Sequence, residues 1–338
     1  MPFLLLVVDE LERRNLPGEF ALLPYVESGY RPLPAKGRGP AGMWQLMGRT
    51  ASARGLHIGK DYDQRLDAIE STRVALDLIE RYDREFGDWR LATMAFNAGE
   101  FRVKRQLGNR SIAELDAMEL SQLNLSKTTL QHLSRLLAMA CIVQQPEEFD
   151  ADLPAPEEDD FLVQLTPEAP IDMRVAANLL GMSFDALRRF NAAHTASPGQ
   201  IGPVSSLLVP ATRMTEFERN VVLLPKSLLA DWHSHRMAPG ETLDSLAGSF
   251  GLSVQALASA NGLAPDSLAA SGTRLLVPGQ GREVDGNPAT YVVRQGDTLS
   301  AIARRHGVKL AQLLRWNNLD KNSILQLDMP LRVRAPQY

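Results

Sequence analysis

The feature that most constrains the fold is an internal repeat in the last third of the chain. The segment 239–247, PGETLDSLA, returns at 295–303 as QGDTLSAIA, a shift of 56 positions. In the same register, glycine recurs at 251 and 307, leucine at 257 and 313, and asparagine at 261 and 317. A repeat of this length indicates two copies of one small module.

Each copy predicts a βααβ order. The Gly-Glu/Asp-Thr turn puts an acidic residue and a threonine where a helix begins, two amphipathic helices follow, and an apolar segment returns as a strand. The pattern is similar to LysM modules, which bind the N-acetylglucosamine-containing glycan of peptidoglycan or chitin. The resemblance implies glycan contacts from the turn and from the repeated asparagine, that is from Gly240, Glu241, Thr242, Asn261, Gly296, Asp297, Thr298 and Asn317.

A third, degenerate copy precedes these two, over residues 161–225. Segment 170–177 aligns with the helical start, and Gly181, Leu187 and Asn191 fall at the matching positions. The Gly-Asp-Thr turn is missing here. Two interpretations of this copy therefore stay open, a glycan-binding module and a structural spacer.

Near the other end of the chain, one carboxylate closes an apolar stretch. The run 22–30, LLPYVESGY, places Glu27 after leucine, proline, tyrosine and valine. A carboxyl group in such surroundings loses hydration, so its charged form is disfavoured. A general acid needs this property, although a structural role is the commoner one for a single semi-buried carboxylate.

Two later segments favour the functional role. They are 42–47, GMWQLM, and 95–100, AFNAGE. Each carries an amide side chain between apolar or aromatic neighbours, a combination that holds sugar rings by stacking and a few hydrogen bonds. Ordinary core packing is the alternative for Trp44 and Phe96.

In this order and spacing, the three segments resemble the signature of lytic murein transglycosylases with a goose-lysozyme-like catalytic domain. The sequence of residues 3–24 most resembles the branch of membrane-bound lytic murein transglycosylase D. The resemblance to the family covers about the first 145 residues. The resemblance implies an α+β multidomain protein. Its parts are a mainly α-helical, lysozyme-like catalytic domain and small βααβ LysM-type modules.

The resemblance also implies an activity. Such enzymes cleave the β-1,4 bond between N-acetylmuramic acid and N-acetylglucosamine and form 1,6-anhydromuramic acid, with one carboxylate acting as acid and then as base. Glu27 takes that role here, and no cofactor or metal is implied. The implied substrate contacts come from Ser28, Met43, Trp44, Gln45, Phe96, Asn97 and His132.

Two other functions stay open. A lysozyme- or chitinase-type hydrolase on the same scaffold needs a second carboxylate, for which Glu100 is the nearest candidate. A non-catalytic cell-wall-binding protein needs only a sugar-binding groove formed by the three motifs, without turnover. The chain also departs from the family at two positions, because Phe96 and His132 stand where many relatives carry tyrosine. A neutral imidazole can replace a tyrosine hydroxyl as hydrogen-bond donor.

The expected organisation has five parts. They are a catalytic domain at 1–145, an acidic, proline-rich linker at 146–160, the degenerate module at 161–225, and LysM modules at 232–279 and 289–335. Gly, Pro and Asp interrupt the apolar pattern at 225–231 and 278–288, which predicts that the modules reorient at these breaks. Cys141 lies among apolar neighbours and is predicted to be an inert core thiol.

The net charge and the N-terminal sequence limit the expected binding partners and location. A net charge of −4 gives no reason to expect nucleic acid, so peptidoglycan strands are the expected partner of a monomeric enzyme. Residues 1–14 read as an amphipathic helix and not as a signal peptide. Because peptidoglycan lies outside the cytoplasm, we expect a periplasmic or outer-membrane-associated location, reached through a leader absent from this sequence.

Overall fold

The first part of the chain is helical. The computed structural model describes residues 1–108, 110, 120, 123–197, 201–279, 290–293, 297–305, 308–317, 319–320, 323, 325 and 330–333. Among the described residues up to 144, the α-helices are α1 Pro2–Arg14, α2 Leu23–Ser28, α3 Gly48–Ala53, α4 Ala68–Phe86, α5 Trp89–Ala98, α6 Glu100–Leu107 and α7 Lys127–Gln144. The predicted mainly α-helical domain is therefore confirmed.

Side-chain caps fix where the longer helices begin. The Asp67 side chain accepts from the N–H groups of residues 69 and 70 at the start of α4, and Asp88 does the same for residues 90 and 91 at the start of α5. Ser126 accepts from the Thr129 N–H at the start of α7. Each such cap contributes on the order of 1 kcal/mol.

One apolar core joins these helices. Val74 and Ile79 of α4, Leu91 of α5 and Leu136 of α7 are fully buried in it. Burying one such side chain stabilises the fold by roughly 1.5–3 kcal/mol. The packed helices form a rigid frame, and the three sequence motifs lie at the end of α2, in the loop before α3 and at the end of α5.

The modules have the predicted βααβ order. The first contains β1 Leu162–Leu165, α8 Met173–Leu179, α9 Phe184–Phe190 and β2 Leu207–Pro210. Helix α10, Met214–Val221, follows it. The second module contains β3 Trp232–Arg236, α11 Leu243–Ser249, α12 Val254–Ala260 and β4 Arg274–Pro278. In each module the two strands pair antiparallel.

The last module is a separate compact unit, Gly279–Tyr338. It contains β5 Thr290–Val292, α13 Leu299–Arg305, α14 Leu310–Trp316 and β6 Pro330–Arg332, and its strands also pair antiparallel. Its core includes the buried side chains of Ile302, Leu313 and Leu331. Residues Met1–Pro278 form the other compact unit.

Within that first unit, the degenerate module is attached to the helical domain by backbone hydrogen bonds. The Asp63 N–H donates to the Ala193 carbonyl at 2.9 Å, and the Thr195 N–H donates to the Asp61 carbonyl at 3.0 Å. The Thr195 hydroxyl adds a bond to the Lys60 carbonyl at 2.8 Å. The loop after α9 therefore pairs with the loop before α4 like two short strands.

The first and second modules share one apolar core. The Asp172 N–H donates to the Leu229 carbonyl at 2.8 Å, and Asn178 Nδ2 donates to the Ala260 carbonyl at 2.7 Å. Leu224, Leu229 and Trp232 are buried. This packing differs from the reorientation predicted at 225–231, because the apolar side chains around that break belong to the shared core. The exact domain boundaries stay predictions.

Segment 146–160 is mostly exposed, as its acidic, proline-rich composition predicts. Its regular structure is limited to two short 3₁₀ helices, Pro146–Phe149 and Glu158–Asp160. Cys141 is exposed, so the prediction of a core thiol is wrong. The buried face of α7 includes Leu136 and Ala140, and the next residue points about 100° away from that face. Among the described helices, none is long and apolar enough to cross a membrane.

Candidate active site

Glu27 is the next-to-last residue of α2. Gly29 ends this helix with a φ of 63°, a left-handed conformation that favours glycine. Leu23 and Pro24 of the same helix are buried, whereas Tyr25 is exposed. The Glu27 side chain retains 15% exposure, so it is largely buried but still accessible to a ligand.

The carboxyl group of Glu27 contacts His132 of α7. His132 Nε2 lies 2.8 Å from Glu27 Oε1, and the imidazole is only 8% exposed. Its other nitrogen, Nδ1, is buried and has no hydrogen-bond partner among the described residues. The sequence predicts His132 as a substrate contact. The structure instead brings it to the candidate catalytic acid.

Ser28 joins the first motif to the second. Its hydroxyl lies 2.9 Å from the Met43 carbonyl and 3.2 Å from the Pro24 carbonyl, and it accepts the Arg31 N–H at 3.1 Å. The residue is buried. Because the hydroxyl is already satisfied by backbone groups, the geometry favours a structural role for Ser28 over the predicted contact with substrate.

The second motif is a tight loop that only glycine can begin. Gly42 has a φ of 81°, and a Cβ atom there would lie 1.7 Å from the Arg65 carbonyl oxygen. Gln45, partly buried, has a φ of 48° and donates from Nε2 to the Gly42 carbonyl at 2.7 Å. The amide oxygen of Gln45 is the part of this side chain that can receive a bond from a ligand.

Met43 and Trp44 do not line the groove as predicted, because they belong to the core. Met43 is 2% exposed and Trp44 is fully buried. The indole N–H of Trp44 donates to Thr72 Oγ1 at 3.0 Å. Its ring meets Phe96 edge-on, with ring centroids 6.1 Å apart. Trp44 therefore supports Phe96, which is the partly exposed aromatic residue of the pair.

Asn97 is oriented by α7. Its Oδ1 accepts a hydrogen bond from the Thr129 hydroxyl at 2.9 Å. Thr129 is buried and is itself held by Ser126, whose hydroxyl lies 2.8 Å away. This contact turns the carbonyl side of the amide towards α7 and leaves the NH₂ side for a ligand. Thr129 is a residue that sequence reasoning missed as a support of the third motif.

A buried ion pair also escaped the sequence analysis. Arg65 Nη2 lies 2.7 Å from Asp63 Oδ2, and both side chains are at most 10% exposed. Arg65 Nη1 also donates to the Gly39 carbonyl at 3.2 Å. The pair therefore braces the loop that carries Gly42 and Gln45. Its sequence signal is only an acidic and a basic residue two positions apart, which is common in loops.

Glu100, the candidate second carboxylate, is engaged by two cations. It lies 2.8 Å from Lys104 Nζ and 2.7 Å from Arg81 Nη2. These contacts, Lys104 first, hold the pKa of Glu100 below its usual range. A carboxylate held in this way stays ionised and is a poor proton donor near neutral pH.

In the second module, the predicted glycan turn is accessible. Gly240 has a φ of 80°, and Thr242 is exposed and caps α11. Glu241 Oε2 lies 2.8 Å from His235 Nε2 and accepts the Ala238 N–H at 2.9 Å. These bonds, that from His235 first, lower the pKa of Glu241.

The repeated asparagine has a different place from the one predicted. Asn261 Nδ2 donates to the carbonyls of Leu257 and Leu276, both at 2.8 Å, and its Oδ1 accepts the Leu276 N–H at 2.6 Å. Asn191 makes the same three bonds in the first module. In the last module, Asn317 Nδ2 donates to the Leu313 carbonyl at 2.8 Å. The geometry thus favours a structural tie between helix and strand over a glycan contact.

The turns of the other two modules differ in accessibility. In the last module, a cavity of about 330 Å³ is lined by Asp297, Thr298 and Ser323, among others. Gly296 lies outside the described residues. In the first module, the equivalent positions are Ile171 and Asp172, and both are buried. Of the two interpretations left open for that module, the geometry favours the structural spacer.

Comparisons with known proteins agree with this architecture. The "Transglycosylase SLT domain" family matches residues 8–118, and the "LysM domain" family matches 235–278 and 291–334. Membrane-bound lytic murein transglycosylase D of Escherichia coli strain K12 is 30% identical over 332 residues, which cover 94% of this chain and 73% of that protein.

Two more relatives match over shorter stretches. N-acetylmuramoyl-L-alanine amidase XlyA of Bacillus subtilis strain 168 is 49% identical over 51 residues, which cover 15% of this chain and 17% of that protein. A solved structure of the lytic transglycosylase Slt of Pseudomonas aeruginosa, an inactive mutant, is 20% identical. It covers 43% of this chain and 24% of that chain, with a TM-score of 0.35, too low to establish a common fold. Because the likeness to the E. coli protein runs through helical domain and modules alike, the chain belongs to the membrane-bound lytic murein transglycosylase D family.

Proposed function

We propose that this chain is a peptidoglycan lytic transglycosylase in which Glu27 is both the general acid and the general base. The observation that carries the proposal is the position of Glu27. Its side chain is 15% exposed and its carboxyl group contacts His132 of α7. The next residue is a serine whose hydroxyl bonds the second motif. A largely buried carboxyl group that is held between packed helices can donate a proton to a glycosidic oxygen.

The reaction balances with one carboxyl group. Protonated Glu27 donates its proton to the oxygen that links N-acetylmuramic acid to N-acetylglucosamine, and the bond from C1 of the muramoyl sugar to that oxygen breaks. The Glu27 carboxylate then removes the proton from the C6 hydroxyl of the same muramoyl sugar. The C6 oxygen closes onto C1, which gives the 1,6-anhydro ring, restores the acid and consumes no water.

Three other side chains are proposed to hold the sugar. The NH₂ of Asn97 and the amide oxygen of Gln45 are placed to bond acetamido and hydroxyl groups, because their other amide atoms already bond Thr129 and Gly42. The partly exposed ring of Phe96 offers an apolar face to a sugar ring. Ser28, Met43 and Trp44 support this arrangement through their buried contacts.

The hydrolase alternative needs a second carboxylate to activate water or to attack C1. Glu100, the nearest candidate by sequence, is bonded to Lys104 and Arg81. This engagement favours ring closure by the sugar's own hydroxyl over hydrolysis.

The modules are proposed to hold the enzyme on glycan through the turns Gly240–Thr242 and 296–298. A weak contact there raises the concentration of glycan near the catalytic groove. A monomer suffices for this arrangement. The relative in E. coli is named membrane-bound, which supports a location in the cell envelope. We propose the periplasm, at the outer membrane, as the specific place.

The test is product analysis on purified murein sacculi. Mass spectrometry of the wild-type digest should show 1,6-anhydromuramoyl ends, whereas reducing ends would establish a hydrolase. Glu27→Gln should lower turnover by at least about 10², because general acid–base catalysis contributes that much. Sedimentation with sacculi should persist in this variant.

The matched control is Glu100→Gln. We expect its turnover to stay within about fivefold of wild type, since a partly exposed ion pair contributes about 1 kcal/mol or less. Normal digestion by Glu27→Gln would refute the assignment of Glu27. Loss of activity in Glu100→Gln alone would favour the hydrolase.

A further inference from the structure

We infer that His132 is a positioning residue that selects which oxygen of Glu27 exchanges protons with the sugar, an inference that rests on the proposed function. His132 Nε2 lies 2.8 Å from Glu27 Oε1. Oε1 is thereby occupied, and Oε2 is the oxygen left for the glycosidic bond and the C6 hydroxyl. The sequence motifs do not assign this role to His132, which they place among the substrate contacts.

Both partners of this contact are held in place. Glu27 precedes Ser28, whose hydroxyl is bonded to backbone groups of both motifs, and Gly29, which ends α2. His132 lies in the second turn of α7, a helix that begins at the Ser126 cap. The imidazole is 8% exposed, so the hydrogen bond competes with little water. The angle of the carboxyl plane is therefore set by packing, before any substrate binds.

The bonds also identify the tautomer of His132. With hydrogen on Nε2, the ring donates to Glu27 Oε1, and the buried Nδ1 keeps only an unused lone pair. With hydrogen on Nδ1, a buried N–H would lack an acceptor among the described residues. Nδ1 lacks a partner among the described residues in either form, and a buried donor or acceptor left so costs roughly 1–3 kcal/mol. Only the Nε2–H form donates a hydrogen bond to an ionised Oε1, so it is the form that fits.

This tautomer serves both halves of the reaction. When Glu27 is protonated on Oε2, the Nε2–H donates to the carbonyl-like oxygen Oε1. When Glu27 is ionised, the same N–H donates to the carboxylate. His132 thus keeps its hydrogen throughout and transfers none, and the proton always leaves from and returns to Oε2. A rotation of the carboxyl group would place the proton on the oxygen that faces the imidazole.

The test uses the full chain and a soluble glycan of alternating N-acetylglucosamine and N-acetylmuramic acid. His132→Phe removes the donor but keeps a flat ring, and we expect kcat to fall between about 10-fold and 10²-fold, as small misplacements of catalytic groups do. KM should stay within about twofold, since the lost contact is not with substrate.

Two conservative variants give the readout that a purely structural role would not produce. The amide N–H of His132→Gln reaches the position of Nε2, and kcat should recover to within about fivefold of wild type. The amide of His132→Asn reaches only the position of Nδ1, and it should not rescue. Gln131→Phe, an exposed neighbour on the same helix, is the control and should leave both constants unchanged.

The possible outcomes separate the explanations. A raised KM with unchanged kcat in His132→Phe would establish a direct substrate contact and overturn the inference. Equal loss in the Phe, Gln and Asn variants, in step with lowered melting temperatures, would establish a structural role and also overturn it. In a Glu27→Gln background, His132→Phe should have no further effect. If Glu27→Gln itself remains active, the proposed function fails first, whatever the His132 variants do.

Discussion

The first and second modules have the same βααβ fold, but the turn before the first helix is buried in one and exposed in the other. In both, an asparagine at the end of the second helix makes three bonds that tie the helix to the returning strand. In the second module the turn residue Thr242 is exposed, whereas its counterpart Asp172 is buried beside the Leu229 carbonyl. The comparison teaches that the helix–strand tie accompanies the fold in both modules, and we propose that glycan binding requires an open turn.

The largest expected effect comes from where the chain is cut. A chain that ends at 278 keeps one compact unit and loses the other, so its sedimentation with sacculi should weaken while it still cleaves short soluble glycans. A chain that ends at 231 also loses the part of the shared core that the second module contributes. Its melting temperature should fall clearly below that of the longer truncation, measured by circular dichroism. Equal melting temperatures would mean that the two modules are independent.

Replacing the asparagine that links helix and strand should lower local stability by a similar amount in both modules. Asn191→Ala and Asn261→Ala each remove three hydrogen bonds from a largely buried site, which costs on the order of 3 kcal/mol of local stability. Hydrogen exchange at Leu208 and Leu276, the strand residues paired with them, measures this loss. If Asn261→Ala instead lost sacculus binding without faster exchange, the asparagine would be a glycan contact after all.

Removing the cap of the first helix should cost more stability in the first module than in the second. Asp172→Ala removes a cap and leaves Arg174, its partner at 2.5 Å, without a counter-charge, so we expect a loss of about 3 kcal/mol. Thr242→Ala removes a cap alone and should cost about 1 kcal/mol. Denaturation with urea measures the two losses.

Sacculus pull-down gives the second readout of these variants. Thr242→Ala should weaken binding because its turn is open, and Asp172→Ala should leave binding unchanged. The reverse result would reassign glycan binding to the first module.

The smallest expected effect is the pH dependence that Glu241 adds to the stability of the second module. Because the folded state lowers the pKa of Glu241, its contribution to stability is complete above the unfolded value near 4.3 and is lost as pH falls through the lower folded value. Melting curves between pH 3 and 6 should show this loss in wild type and not in Glu241→Gln. An identical pH dependence of both proteins would contradict the role of the His235 contact. The first module has Ile171 at this position and should show no counterpart.

Much of the architecture follows from the sequence because it depends on local patterns. The helical domain, the βααβ modules and the three motifs are all visible as periodicity, caps and repeats within short windows. Residue Glu27 stands out for the same reason, as a single charged group after an apolar run. The family resemblance strengthens these inferences, and the comparisons agree with it.

Other parts depend on contacts between distant residues, and local patterns do not encode them. Glu27 and His132 are 105 positions apart, so their bond cannot be inferred from spacing. Trp44 has the residue type of a sugar platform but the environment of a core residue. Cys141 has apolar neighbours in sequence, yet the turn of the helix exposes it. Burial is a property of the assembled fold, which residue type alone does not determine.

The hydrogen-bonded contact between the helical domain and the first module has one more consequence. Its bonds are accepted by carbonyls of residues 61, 193 and 60, and two of the three are donated by backbone N–H groups. Main-chain atoms are the same whatever side chain they bear, so substitutions at 61, 63 and 193 leave the two main-chain bonds in place, whereas a substitution that removes the Thr195 hydroxyl removes the third bond. A comparison of side chains alone would therefore miss these two bonds and find only the side-chain part of the interface, such as the edge-on contact of Phe3 with Phe190, whose ring centroids lie 6.2 Å apart.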